Sequence, residues 1–171
     1  MKTTVVLAMH GAPPKDFPRR EMGEFFGLHS RLSQASPEEK PAMEARHAEL
    51  EAKMRAWPRS AENDPYFAAA QEMGARLSDA TGWPVVVGFN EFCAPTLDES
   101  LDEAASAAPD RVFVVTPMMT RGGEHSEKEI PAAVDQAQAR HPSMSYRYVW
   151  PFPASDIAGF LASQIHRLET R

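Results

Sequence analysis

Residues 111–131 read RVFVVTPMMTRGGEHSEKEIP and join a short apolar run to a polar loop. The run over residues 111–116 is β-branched and apolar and too short for a helix, so it predicts a β-strand. Pro117 lacks a backbone donor and is expected to end the strand pairing. The glycine pair at 122–123 permits backbone angles that other residues avoid, which would let the loop present His125.

A helix is expected to begin soon after this loop. Ser126 and Glu129 have the spacing of a capping box, which predicts one start. A start at Ile130, with Pro131 in the first turn, is equally compatible with the sequence. Either start leaves His125 at the junction of loop and helix.

Three further runs predict strands, namely TTVVLAM at 3–9, PVVVGFN at 84–90 and SYRYV at 145–149. Helical patterns and caps predict helices at about 21–32, 37–57, 65–81, 97–108 and 130–140, and a final helix capped by Ser155 or Asp156. Strands that alternate with helices indicate a parallel sheet. We therefore expect an α/β fold, a flavodoxin-like half unit in which a four-stranded parallel sheet carries helices on both faces, with a helical insertion after the first strand.

Composition narrows the class of protein. The chain has 171 residues, with 43% apolar and 25% charged, so we expect one α/β domain over residues 1–171 with the insertion at about 13–64. No apolar run approaches the ~18 residues of a membrane span. The net charge of −6 argues against a nucleic-acid partner. One cysteine, Cys93, excludes an internal disulfide framework, and with no signal-peptide pattern at the start we expect a cytoplasmic protein.

Three metal-binding residue types follow three of the predicted strands. His10 comes directly after the first strand, Glu91 after the second, and His125 lies in the loop after the third. In open parallel sheets, ligands bind beyond the carboxyl ends of the strands, so these residues are expected at one edge. Imidazole and carboxylate ligands suit Co, Ni, Fe or Zn ions, and a carboxylate also accepts protons.

Each of these residues also has an ordinary structural interpretation. A single histidine at a strand end is more often held by backbone hydrogen bonds than by a metal, and Glu91 alone could be a solvated carboxylate. Three such residues on one edge favour a site. The other histidines are assigned elsewhere: His47 to a core or interface, and His29, His141 and His166 to the surface. Cys93 is expected to be a buried apolar residue.

At these residues the chain resembles the class II chelatases, the sirohydrochlorin cobaltochelatases and ferrochelatases of cobalamin and siroheme synthesis. The resemblance rests on VVLAMHG, GFNEFCAPTL and RVFVVTPMMTRGGEHSEKEIP. The family motif GxHxxxDIP is matched by Gly123, His125, Ile130 and Pro131, with Glu129 in place of its Asp. The resemblance covers roughly residues 1–12 and 83–171 and implies the chelatase-like form of the fold.

The resemblance implies a reaction and roles for the three residues. The family inserts a divalent metal into a tetrapyrrole such as sirohydrochlorin, so Co²⁺ foremost, or Fe²⁺ or Ni²⁺, would be a substrate, and no tightly bound cofactor is expected. His10 and His125 would contact the metal, and Glu91 would join them while assisting deprotonation of the ring. A non-catalytic metal- or tetrapyrrole-binding protein on the same fold is the alternative.

Basic residues near the same edge could bind the carboxylates of such a ring. The candidates are Lys15, Arg19, Arg20 and Arg121. Their interpretation as ordinary surface cations is equally compatible with the sequence.

The insertion at 13–64 departs from the smallest members of the family and is closer in character to protohaem ferrochelatases. Two-domain members hold two four-stranded units that face a cleft, whereas this chain is expected to hold one. A homodimer would supply the missing wall, and the apolar stripe of residues 43–57 is the candidate contact surface.

Other enzyme classes lack their required residues. A histidine phosphatase needs an Arg before the histidine, and Met9 occupies that place. The GxSxG nucleophile elbow, the P-loop and the dinucleotide-binding GxGxxG are all absent from the sequence.

Overall fold

Four parallel strands alternate with helices in residues 1–169, the part of the chain that the computed structural model describes. The elements in order are β1 (Thr3–Met9), α1 (Arg19–Leu32), α2 (Lys40–Arg55), α3 (Pro65–Thr81), β2 (Val85–Phe89), α4 (Leu97–Ser106), β3 (Arg111–Val115), a π-helical turn (His125–Glu129), α5 (Ile130–Arg140), β4 (Ser145–Tyr148) and α6 (Ala154–Glu169). The four predicted strands are present, and each boundary differs by at most one residue. Helices α1 and α2 lie between β1 and α3, within the predicted insertion.

The sheet has the strand order β2-β1-β3-β4, and every pairing is parallel. Strand β1 lies inside the sheet, where Val5 is in register with Val85 on one side and Phe113 on the other. All seven residues of β1 are buried, as its continuous β-branched and apolar sequence predicted. The expected fold class is confirmed.

Helices cover both faces of the sheet because successive side chains of β1 point in opposite directions. Val6 and Ala8 pack in a cluster with residues of α4 and α5. Leu7 and Met9 pack in a second cluster that contains Ala70 of α3. The connection from β1 to β2 therefore includes a helix on one face, and the connection from β3 to β4 includes a helix on the other.

Short-range signals identify the ends of α3 and α4 correctly. The Asp64 side chain accepts a hydrogen bond from the backbone N–H of Phe67 at 2.9 Å and caps α3, which ends at Gly82 with φ 71°. At α4, the Thr96 side chain accepts from the N–H of Glu99 at 3.2 Å, and Glu99 accepts from the N–H of Thr96 at 2.7 Å. This is the predicted capping box.

Two predicted helix caps are wrong, and α2 begins at Lys40 instead of at about 37. Ser126 does not cap a helix with Glu129, because its hydroxyl donates to the carbonyl of Gly123 at 3.2 Å and the chain forms a π-helical turn there. The α-helix instead begins at Ile130, the other start that the sequence allowed. At the last helix, Ser155 and Asp156 lie inside the first turn, since α6 begins at Ala154.

The apolar stripe of α2 is internal, which corrects its assignment as a surface for a second copy. Leu50 and Met54 are 1% and 0% exposed and pack against Phe25 of α1. The stripe therefore joins the two helices of the insertion to each other. A different helix carries exposed apolar side chains: Phe160 and Leu161 of α6 are 50% and 53% exposed.

A buried ion pair connects this insertion to the sheet. Arg59 bonds to Asp64, and their side chains are 5% and 1% exposed. The guanidinium also donates to the carbonyls of Ala12, Met54 and Phe92. One side chain thus joins the loop after β1, the end of α2 and the loop after β2.

Candidate metal centre

The strand order places a crevice between the loop after β1 and the loop after β3, because these loops lead to opposite faces of the sheet. Strands β1 and β3 are neighbours, but the chain after β1 reaches a helix on one face and the chain after β3 reaches a helix on the other. Such a switch point is where open α/β sheets bind ligands. His10 follows β1 and His125 lies at the end of the loop after β3, so the two histidines meet across this crevice.

The three residues predicted from the strand ends do converge. The Nε2 atoms of His10 and His125 are 3.2 Å apart. One carboxylate oxygen of Glu91, Oε2, lies 3.6 Å from Nδ1 of His10 and 3.9 Å from Nε2 of His125. Within residues 1–169, no other group of three or more His, Cys, Asp or Glu side chains lies close enough together to hold one metal ion.

The protons on the two imidazoles are assigned by their hydrogen-bond acceptors. Nδ1 of His10 lies 3.1 Å from the carbonyl of Gly11, and Nδ1 of His125 lies 2.6 Å from a carboxylate oxygen of Glu129. Both Nδ1 atoms therefore act as donors. Both Nε2 atoms then carry the lone pairs, and their separation of 3.2 Å suits two ligands of one cation.

The backbone fixes His10 against Glu91. The N–H of Glu91 donates to the carbonyl of His10 at 2.8 Å, which extends the pairing of β1 and β2 beyond the strands. Gly11 has φ 104°, and a Cβ at that position would lie 1.9 Å from the carbonyl oxygen of Glu91. Only glycine fits this close approach, so the backbone of Glu91 requires a glycine directly after His10.

The loop that carries His125 is supported from β4. Tyr148 donates from its hydroxyl to the carbonyl of Ser126 at 3.0 Å, and burial followed by the nearby Glu127 carboxylate raises the pKa of Tyr148 to about 12. This phenol therefore stays protonated and a donor at physiological pH. Of the two glycines predicted to adopt unusual backbone angles, Gly122 has φ 90° and Gly123 has no positive φ.

A cavity of about 300 Å³ adjoins the three residues. It is lined by Phe25, Phe26, His29, His47, Glu51, Asn90, Glu91, Phe92 and Glu129. The Phe92 ring stacks on the His10 ring with a distance of 6.3 Å between centroids, and its centroid lies 6.0 Å from that of Phe26. Phe92 has φ 60°, unusual for a bulky residue, and its carbonyl accepts from Arg59. The backbone thus holds an aromatic side chain beside the imidazoles.

Sequence reasoning missed most of this lining. Phe25 and His29 are four residues apart on α1, and His47 and Glu51 are four apart on α2, so each pair could be assigned to one helix face. Which faces meet depends on how the insertion folds back over the sheet edge. No local pattern in the sequence contains that information.

The four predicted cations do not join the group. Arg121 pairs with Glu127 at 3.1 Å, and this hydrogen bond lowers the pKa of the Glu127 carboxyl. Lys15 lines a separate groove, and Arg19 and Arg20 are exposed in the first turn of α1. In the described part of the chain, no hydrogen bond or ion pair joins any of the four to the three converging residues.

Comparisons with known proteins point to one family. The CbiX family model matches residues 60–167, more than half of the chain. A segment of 47 residues is 40% identical to the sirohydrochlorin cobaltochelatase of Methanopyrus kandleri, and it covers 28% of this chain and 32% of that protein. The match thus spans about a third of the relative's length.

Solved structures resemble the fold. A CbiX protein from Marinobacter aquaeolei VT8 matches 99% of this chain and 96% of its own, with a TM-score of 0.51 and 14% identity. The sirohydrochlorin chelatase SirB from Bacillus subtilis subspecies spizizenii, in complex with cobalt, matches 88% of this chain and 44% of its own, with a TM-score of 0.46 and 16% identity.

No helix within residues 1–169 has both the length and the apolar character to cross a membrane. The extent of the family match, with the fold that accompanies it, confirms the resemblance found in the sequence motifs. The chain belongs to the CbiX family of class II chelatases.

Proposed function

We propose that this chain is a chelatase that inserts a divalent metal, Co²⁺ foremost or Fe²⁺ or Ni²⁺, into a tetrapyrrole of the sirohydrochlorin class. The proposal rests on one observation above all: His10, Glu91 and His125 converge, with the Nε2 atoms of the two histidines 3.2 Å apart. The cobaltochelatase of Methanopyrus kandleri supports cobalt as the first metal to test.

The chemistry of insertion fits this set of residues. Two pyrrole protons must leave the ring as the metal enters, so the site needs both a temporary metal ligand and a proton acceptor. His10 and His125 would supply the ligands, and Glu91 would bind the ion with them and accept protons. Two imidazoles and a carboxylate leave coordination positions open for water and for the ring nitrogens, unlike a closed structural site. The metal is therefore a substrate, and no tightly bound cofactor is proposed.

The surroundings would position a flat ring. Phe26 and Phe92 line the adjoining cavity and offer apolar contacts to one face of a macrocycle. Arg19 and Arg20 are exposed and available for its carboxylates. Arg121 would have to exchange Glu127 for a substrate carboxylate, and Lys15 would act only on a substituent that reaches its separate groove.

One side of the site is open to solvent, and a second chain could cover it. The His10 side chain is 43% exposed, so one chain leaves the imidazole accessible to water. We propose a homodimer whose second copy contacts the apolar side chains of α6. From the single cysteine we also place the protein in the cytoplasm.

Turnover separates the chelatase from a protein that only binds. Sirohydrochlorin in excess over protein is mixed with Co²⁺, and the visible spectrum is followed against the same mixture without protein. Catalysis predicts conversion of many rings per chain, at a rate proportional to protein concentration. A change that stops at one ring per chain would reject the chelatase and favour the binding protein. His141→Ala should turn over sirohydrochlorin like the wild type, because His141 pairs with Asp102 and does not line the cavity.

A further inference from the structure

A second pair of histidines lies within the insertion. His29 of α1 and His47 of α2 approach through Nδ1 and Nε2, which are 3.3 Å apart. Both rings stack on Phe25, with centroid distances of 6.3 Å for His29 and 4.4 Å for His47. The sequence assigned these residues to the surface and to a core or interface, and no pattern in it links the two.

The spacing of this pair fits two ligands of one ion. With metal–nitrogen bonds of 2.0–2.1 Å and a tetrahedral angle, two ligand nitrogens lie about 3.3 Å apart. The Nε2 atoms of His10 and His125 show nearly the same separation, 3.2 Å. Two imidazoles leave the remaining positions to water, so the pair would bind a divalent ion weakly and reversibly.

The cationic side chains of Arg46 and Arg55, on the same helix as His47, are already paired with carboxylates. Arg46, which precedes His47, is already paired with Glu24 at 2.7 Å and Glu49 at 2.8 Å. Glu51, one turn after His47, lines the same cavity, and both of its bonds from Arg55 go to Oε1. Glu51 is paired with Arg55 at 2.8 Å and does not complete a close group of three in the described residues, so it is not assigned as a third ligand.

Position gives the pair a connection to the metal centre. The cavity lined by His29 and His47 is also lined by Glu91 and Glu129. An ion held by the pair would therefore face the same space as the carboxylates that contact His10 and His125.

A purely structural role accounts for the pair less well. A single hydrogen bond between the rings could join α1 to α2, but Leu50 and Met54 already pack this interface. Lys53 of α2 also pairs with Glu21 of α1 at 2.6 Å. Apolar packing and an ion pair therefore hold this interface alongside the histidines.

We propose that His29 and His47 form a second binding site for a divalent transition metal, on the cavity that adjoins the His10–Glu91–His125 group. This site is independent of the proposed chelatase reaction, because it is detected by metal binding without a tetrapyrrole. A failure of turnover and a failure of this site are therefore separate results.

The test removes the first site and measures the second. His10→Ala/His125→Ala chains are dialysed to equilibrium against Co²⁺ at the free concentration that saturates the wild type, and bound cobalt is counted per chain. We expect about one ion to remain. Adding His29→Gln should weaken its binding by about tenfold or more, since loss of a supporting residue alone typically costs 10–100-fold. His141→Gln in the same background should leave the ion in place.

Two results would overturn the proposal. One is a His10→Ala/His125→Ala chain that binds no cobalt at this concentration; the other is retention of the remaining ion at unchanged affinity with His29→Gln. His29 is exposed, so its substitution should leave the circular dichroism and melting temperature unchanged. His47→Gln provides a second variant on the partner helix and should give the same loss of cobalt.

Discussion

The two ring nitrogens of His125 have different partners. Its Nδ1 is held by Glu129 at 2.6 Å, and its Nε2 faces His10. We predict that His125→Ala abolishes metal insertion and lowers the free energy of unfolding by only about 1 kcal/mol, the usual net value of one hydrogen bond. The assay is cobalt insertion followed in the visible spectrum, with urea unfolding of the same variant. A folded His125→Ala chain that still inserts cobalt would contradict the assigned role.

We infer that Glu129 positions His125, because its carboxylate accepts a hydrogen bond from Nδ1 of that ring. Glu129→Gln weakens the acceptor that keeps the proton on Nδ1, so we expect activity and cobalt affinity to fall about 10–100-fold, as for other carboxylates behind a metal-binding histidine.

Two variants test that assignment of Glu129. Glu129→Asp keeps the carboxylate and should retain more activity than Glu129→Gln, which a space-filling role would not predict. Glu124→Gln is the control, because Glu124 is exposed and pairs with Lys128 in the neighbouring turn. Equal activity and equal cobalt affinity of Glu129→Gln and the wild type would exclude the positioning role.

At the scale of an element, the capping box of α4 makes a pH-dependent contribution. The backbone N–H and then the hydroxyl of Thr96 hold the pKa of Glu99 below its ordinary value. We predict that Thr96→Ala lowers the free energy of unfolding by about 1 kcal/mol at pH 7. The depressed pKa means that the contribution of Glu99 is present above its unfolded pKa of about 4.3 and is lost as pH falls through the folded value.

The difference between the wild type and Thr96→Ala should therefore shrink below about pH 4. Urea unfolding of the wild type and Thr96→Ala at pH 7 and at about pH 3.5–4 measures this difference in the free energy of unfolding. Ser106→Ala, at the other end of the same helix, is a control whose small effect should not depend on pH, because its hydroxyl donates to a carbonyl. A difference at Thr96 that stays constant over this range would show that the Thr96 hydroxyl does not act through the charge of Glu99.

Elements determined by neighbours in sequence were predictable. The run of β1, the cap at Asp64 and the box of Thr96 and Glu99 each depend on residues within four positions, so their boundaries follow from local chemistry. Placement of His10, Glu91 and His125 followed from one further rule, that parallel strands end at the same edge.

Elements determined by distant packing were not predictable. The turn at His125 is π-helical rather than capped by Ser126, and it is supported by Tyr148 more than 20 residues away. Similarly, His29 and His47 meet only because α1 folds against α2 through apolar contacts. The sequence contains these residues but not the pairing that gives them a common role.

At the scale of the molecule, Arg59 connects the insertion with the sheet edge that carries the site. Arg59→Met leaves the Asp64 carboxylate buried at 1% exposure without its cation, and loss of one partner of a buried pair costs about 3–5 kcal/mol. We therefore expect a large drop in the midpoint of urea unfolding. Arg76→Met is the matched control, because Arg76 and Glu72 form an exposed pair at 3.6 Å and the change should stay within about 0.5 kcal/mol. Similar midpoints for the two variants would refute the connecting role.

Helix α6 carries the surface that we propose for the dimer contact. Its side chains Phe160, Leu161, Ile165 and Leu168 are 50%, 53%, 60% and 74% exposed, an apolar surface that water solvates poorly. Near its start, α6 borders a cavity of about 540 Å³ that Arg121 also lines, so a second copy on α6 would lie beside the loop that leads to His125. The apolar stripe of α2 is unavailable for this contact because it is internal.

We predict that the wild type sediments at twice the chain mass of 18.9 kDa and that Ile165→Lys sediments as a single chain. A charge introduced at the centre of an apolar contact cannot be paired there, so association should weaken by at least about tenfold. The variant should also insert cobalt more slowly, because the site loses its second wall. Arg76→Met, on the exposed face of α3, should keep the double mass. A wild-type chain that sediments at 18.9 kDa would reject the dimer, and an Ile165→Lys chain that keeps the double mass would reject α6 as its surface.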